Sequence, residues 1–140
     1  MSDSPPALQV AALPYRRGPN GVEIMLITSR ETRRWVIPKG WPMQGRTHPG
    51  SAEREAFEEA GLSGAIAAHP VGAFGYLKQR AKAGDIDCRV EVYPLEVAAQ
   101  ADAFPEKGQR ETCWFLAEEA AASVDEPELR DLIRRFAETR

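Results

Sequence analysis

The stretch GWPMQGRTHPGSAEREAFEEAGL, residues 40–62, changes character halfway along. Counted from Lys39, its first part KGWPMQGRTHPG holds three glycines and two prolines in twelve residues. That is too irregular for a strand or a helix, and so long a loop within a small domain is usually functional. From Ser51 the text turns helical. Ser51 can cap a helix from about Ala52 to Ala60, and Gly61 stands where a helix commonly ends in a left-handed residue. At about 100° per residue, Glu55, Glu58 and Glu59 fall within an arc of about 100°, with Ala56, Phe57 and Ala60 opposite. One face packs and the other presents carboxylates. Like charges three and four residues apart cost roughly a few tenths of a kcal/mol per pair, of which Arg54, four residues before Glu58, offsets only part. Alone, the cluster reads first as a solvated acidic face near a helix start, where the helix dipole tolerates anions.

The adjoining loop changes that balance. Hard divalent cations such as Mg²⁺ take oxygen ligands, usually a few carboxylates completed by water and substrate phosphates. The loop and its approach also carry Arg30, Arg33, Arg34, Lys39 and Arg46, opposite in sign to the glutamates, and phosphate oxygens would answer that local charge.

Outward from this segment the chain reads as a mixed sheet with helices against it. LQVAALPYRR and VEIMLITSR, separated by the turn formers of GPNG, predict an antiparallel hairpin. GAIAAHPVGAFGYLK suggests another strand pair, CRVEVYPLEV a strong strand, and ETCWFLAEEAAAS a short strand running into a helix. In EPELRDLIRRFAETR the positions of Leu129, Leu132, Ile133 and Phe136 predict an amphipathic helix whose apolar stripe is core. The sum is α/β, most simply an α/β/α sandwich. The length of 140 residues suits one domain, residues 7–140, after a loose tail at 1–6. A net charge of −3 gives no global attraction to nucleic acid or anionic membrane, so any basic site is local. The polar N-terminus and short apolar runs predict neither a signal peptide nor a membrane span. Cys88 and Cys113, without CxxC spacing, read as two buried thiols in a reducing compartment, which leads us to expect a cytoplasmic protein. Oligomeric state leaves no mark that can be read.

Residues 40–62 resemble the Nudix box, G-x5-E-x7-R-E-U-x-E-E-x-G-U with U a bulky apolar residue. Gly40, Arg54, Glu55, Glu58, Glu59, Gly61 and Leu62 fall on its positions with the spacing kept. Arg46 replaces the first signature glutamate, and Ala56 stands where a larger aliphatic residue is common. RRWVIPKGWP and FPEKGQRETCWFLAEEA are similar to segments of the subgroup that hydrolyses diphosphoinositol polyphosphates and diadenosine polyphosphates. The resemblance implies a Nudix-type α/β/α sandwich with the box as loop-helix-loop, and a pyrophosphohydrolase acting on a small phosphorylated substrate by water attack on phosphorus. It implies that Glu55, Glu58 and Glu59, with the Gly40 carbonyl, hold Mg²⁺ or Mn²⁺, and that Arg54 holds a carboxylate in position. Glu58 is the first choice of general base, with Glu106 or Glu111 in reserve. Lys39 matches the subgroup motif, and Arg30, Arg33, Arg34, Arg46, Lys78 and Arg80 are further candidate contacts for a polyphosphate. Trp35, Trp41 and Tyr76 are candidates to stack on a base, although Trp35 and Trp114 suit a core; His48 reads as a surface residue. The competing reading is a catalytically silent Nudix-fold module that binds a nucleotide.

Overall fold

Apolar residues at alternate positions, sent to opposite faces of one sheet, organise the fold. The computed structural model describes residues 5–140, so the expectation of a tail at 1–6 lies, for residues 1–4, outside the described residues. Strands β1 (Ala7–Gly18) and β2 (Gly21–Thr28) form the expected antiparallel hairpin, with Tyr15 opposite Ile24 and Gly18 opposite Gly21. Short strands β3 (Trp35–Val36) and β4 (Lys39–Gly40) follow, then helix α1 (His48–Ala60). Strands β5 (Leu62–Ile66), β6 (Gly72–Lys78), β7 (Ile86–Gln100) and β8 (Thr112–Leu116) come next, and helices α2 (Ala117–Ser123) and α3 (Pro127–Glu138) complete the order.

The sheet runs β3-β2-β1-β7-β5, with β4 against β1, β6 against β7 and β8 against β2. It is mixed because β1 and β7 run parallel, Ala7 facing Cys88 and Tyr15 facing Glu96, while every other pairing is antiparallel. On one face Ala11, Leu13, Ile24, Leu26, Val90 and Val92 meet α2 and the Leu129, Leu132, Ile133 and Phe136 stripe of α3. On the other, Val10, Ala12, Met25, Ile27, Tyr93 and Leu95 meet Ala52, Ala56 and Ala60 of α1. This is the α/β/α sandwich, with period two in the strands and period 3.6 in the helices. Each large apolar side chain so buried contributes about 1.5–3 kcal/mol.

Four local expectations are corrected. The two strands of GAIAAHPVGAFGYLK do not pair with one another: β6 lies along Ile86–Val92 of β7 and β5 along Leu95–Gln100. Both are antiparallel to β7 and therefore run in the same direction, so they cannot form a hairpin; the long β7 takes them one after the other. Helix α1 begins at His48, earlier than the expected Ala52, because Thr47 is the cap, its Oγ1 accepting from Gly50 N at 3.0 Å, with Pro49 in the first turn. Ser51 is buried instead, its Oγ accepting from Met43 N at 2.9 Å, which fastens the preceding loop to the helix. Cys88 is buried, but Cys113 on β8 is exposed. Among the described residues no helix is long and apolar enough to cross a membrane.

Candidate functional site

A cavity of about 280 Å³ opens where β4 ends and α1 begins its acidic turn, lined by Gln9, Lys39, Gly40, Trp41, Glu55, Glu59, Tyr76, Glu106 and Arg110 among others. β4 pairs with β1 only at Val10–Gly40 and Ala11–Lys39. Below Val10 that edge of β1 has no strand beside it among the described residues, and the cavity opens there. Gly40 is required there, because a Cβ at that position would stand 2.5 Å from Glu55 Cδ and 2.6 Å from its Oε1. The Glu55 carboxylate therefore lies directly against the Gly40 backbone.

Glu59, expected on an exposed acidic face, is 5% exposed. Burial, followed by its hydrogen bond with Glu55, pushes the Glu59 carboxyl up to about 9, against the pull of Arg110. Two carboxyl groups closed into one site cannot both carry full charge without a cation between them. Glu58 turns away: Arg54 Nε donates to its Oε2 at 2.7 Å, and it does not line the cavity. Among the described residues no three His, Cys, Asp or Glu side chains converge as a metal centre.

The basic residues divide. Arg30, Lys39 and Lys78 line the cavity, and together with Arg34 they line an adjoining, wider space of about 480 Å³. Arg34 is also tied to α3, its Nη1 donating to Glu126 Oε2 at 2.7 Å. Lys39 Nζ lies 5.0 Å from the Tyr76 ring, and burial pushes its ammonium below the ordinary lysine value, with Glu59 and Glu126 opposing. Arg33 and Arg46 line neither space. Arg33, in the left-handed region at φ 59°, points toward Thr28 and Gln109, while Arg46 is exposed just before the Thr47 cap. Arg80 Nε is bonded to Gly84 O at 2.9 Å. Trp41 is 44% exposed at the cavity wall, whereas Trp35 and Trp114 pack against the two cores. Glu111 is exposed and lines neither space; His48 Nδ1 meets Glu91 Oε1 at 3.2 Å, away from the cavity.

Sequence reasoning missed Arg110 and Gln9. Arg110 Nε donates to Glu106 Oε1 at 2.9 Å, its Nη1 to Thr28 O at 3.2 Å, and its Nη2 lies 3.8 Å from Glu59 Oε1. Nothing in the local text marks it among eighteen basic residues, because its partners come from elements far apart in the chain.

The profile of the NUDIX domain family matches residues 6–136. Nudix hydrolase 12, mitochondrial, of Arabidopsis thaliana is 29% identical over 107 residues, covering 72% of this chain and 51% of that protein. The chain spans about half the length of the curated relatives it matches. Among solved structures, a C. elegans Ap4A hydrolase in a binary complex superposes with a TM-score of 0.68 at 21% identity, covering 95% of this chain and 96% of that one. The NUDIX domain of Shewanella oneidensis NrtR complexed with ADP ribose gives 0.68 at 14% identity, covering 95% and 89%. At these identities the likeness is one of fold.

Proposed function

Since the chain belongs to the Nudix domain family, we propose that it is a divalent-cation-dependent pyrophosphohydrolase cleaving a diphosphate linkage in a small polyphosphorylated substrate, a dinucleoside polyphosphate or a diphosphoinositol polyphosphate. The observation that carries this reading is one cavity in which Glu55 and Glu59 face Lys39, Arg30 and Lys78. Paired carboxylates suit a cation, and the surrounding cations suit phosphate.

The donor set fits Mg²⁺ or Mn²⁺. The Glu55 and Glu59 carboxylates and the Gly40 carbonyl are all hard oxygen donors, and the cradle at Gly40 has no room for a side chain. Glu55 and Glu59 would hold the ion, with Glu58 able to join by releasing Arg54. When bound, the ion neutralises charge on the pyrophosphate and acidifies a water.

The chain's own groups do the rest. Lys39, Arg30 and Lys78 bind the phosphoryl oxygens, and Arg34 extends the basic surface into the outer space, where the remainder of an anionic chain is accommodated. Glu106 is the better-placed general base, since it lines the cavity and Glu58 does not. It would take the proton of the attacking water at its carboxylate. Trp41, exposed at the same wall, offers a ring face for a base.

Incubating the protein with Mg²⁺ or Mn²⁺ and a panel of diadenosine tetraphosphate, ADP-ribose and a diphosphoinositol polyphosphate, with products identified by mass, tests the reading. Cation-dependent release of a phosphorylated product supports it. Saturable binding without turnover of any member would assign the cavity to a silent binding module.

A further inference from the structure

Gln9 is a polar residue on β1 that core packing does not explain. It shares the strand face of Ala11 and Leu13, which enter the α2 and α3 core, and it is 2% exposed. A buried carboxamide needs hydrogen-bond partners at both ends. Its Oε1 has one, the Tyr76 hydroxyl donating at 2.6 Å. Its Nε2 has no acceptor among the described residues. Yet no side-chain nitrogen or oxygen sealed from solvent lacks a partner among them. Gln9 lines the cavity, the space in which that amide is open to an acceptor.

The Tyr76 bond fixes which end of the amide does so. Burial, followed by the neighbouring Cys88, pushes the Tyr76 phenol up, so the hydroxyl keeps its proton. With that proton given to the amide oxygen, the NH₂ is left to the cavity. Lys39 Nζ stands over the Tyr76 ring, 5.0 Å from its centroid. A neutral double donor is thus set beside a cation, on a wall shared with the glutamate pair.

We propose that Gln9 is a substrate contact, donating its Nε2 hydrogens to non-bridging phosphoryl oxygens, and that Tyr76 is the positioning residue that holds the amide in that orientation. The inference rests on the pyrophosphate reading of the cavity and adds to it a neutral contact that neither the box nor the basic residues supply.

Two measurements on the full chain test it. One is the dissociation constant for imidodiphosphate with Mg²⁺ by calorimetry, and the other is KM against kcat for diadenosine tetraphosphate. Gln9→Glu keeps an oxygen for the Tyr76 hydroxyl and replaces the donor with an anion. It should weaken imidodiphosphate binding by roughly tenfold or more and raise KM in parallel, with kcat much less affected. Gln9→Leu should show a smaller loss. Tyr76→Phe should weaken binding about threefold, and nothing further once Gln9 is Leu, the non-additivity expected of a residue acting through another. Wild-type turnover with unchanged constants in Gln9→Glu would overturn the inference. Gln9-dependent binding without wild-type turnover would keep the contact and remove the hydrolase reading. Absence of both binding and turnover in the wild type would remove both.

Discussion

The segments 40–61 and 101–111 meet at one cavity and are held in place by opposite means. The first is organised by its own residues: Thr47 caps α1, Ser51 ties back to Met43, and Gly61 at φ 72° closes the helix. The second contains neither helix nor strand. It takes its shape from the end of α1, whose last carbonyls have no partner within the helix. Gln100 Nε2 donates to Ala60 O at 2.9 Å, Ala101 N to Gly61 O at 2.8 Å, and Glu106 N to Glu58 O at 2.9 Å. Phe104 lies on Gly61, where a Cβ would collide with its ring. A motif encoded locally thus serves as the template for a loop that the motif does not contain, and Glu106 and Arg110 reach the cavity through that template.

The sharpest break comes from the box side. Glu59→Gln should cut kcat by about a hundredfold or more and abolish the Mn²⁺-induced rise in melting temperature, read by kinetics and thermal scans. Unchanged turnover would detach the cavity from the chemistry. Gly61→Ala attacks the shared boundary. A side chain there meets both an unfavourable φ and the Phe104 ring, and should cost about 2 kcal/mol in a urea unfolding series. The two segments are coupled only if activity falls with it. On the loop side, Arg110→Met should lower kcat/KM about tenfold through a misplaced Glu106, and Arg110→Lys should not restore it, because a single ammonium cannot span Glu106, Glu59 and Thr28 O. Wild-type activity in both variants would make the loop a passive wall. Smallest is Thr47→Ala, a cap on the far end of α1, worth about 1 kcal/mol of stability with kcat retained.

What could be read in the sequence follows the same division. The β1–β2 hairpin, the acidic helix and the α3 stripe declare themselves through local period and turn residues. The helix start is ambiguous by a turn because Ser51 and Thr47 are both good caps, and only packing shows that Ser51 is needed inward. The burial of Glu59 could not be read, since a glutamate in a box of like charges looks solvated until the loop that covers it is known. Gln9 and Arg110 gave no signal because their meaning lies in partners, Tyr76 for one and Glu106 with Glu59 for the other, brought close only by the sheet and the loop.

The parallel pairing of β1 with β7 has a consequence for how the molecule comes into being. Ala7 waits for Cys88, and Tyr15 for Glu96, so β1 is completed by a strand made about eighty residues after it. A ribosome that has released β1 through β6 has released strands whose central neighbour is missing, and an open edge on a nascent chain invites pairing with the wrong partner. Closing so distant a contact also slows folding relative to a helical chain of equal size. The step that joins the two halves of the sheet is therefore the long-range step of assembly, the one expected to be slowest and most exposed to error, and the cavity, which needs β1, β4 and the loop after β7 together, can form only once it is past.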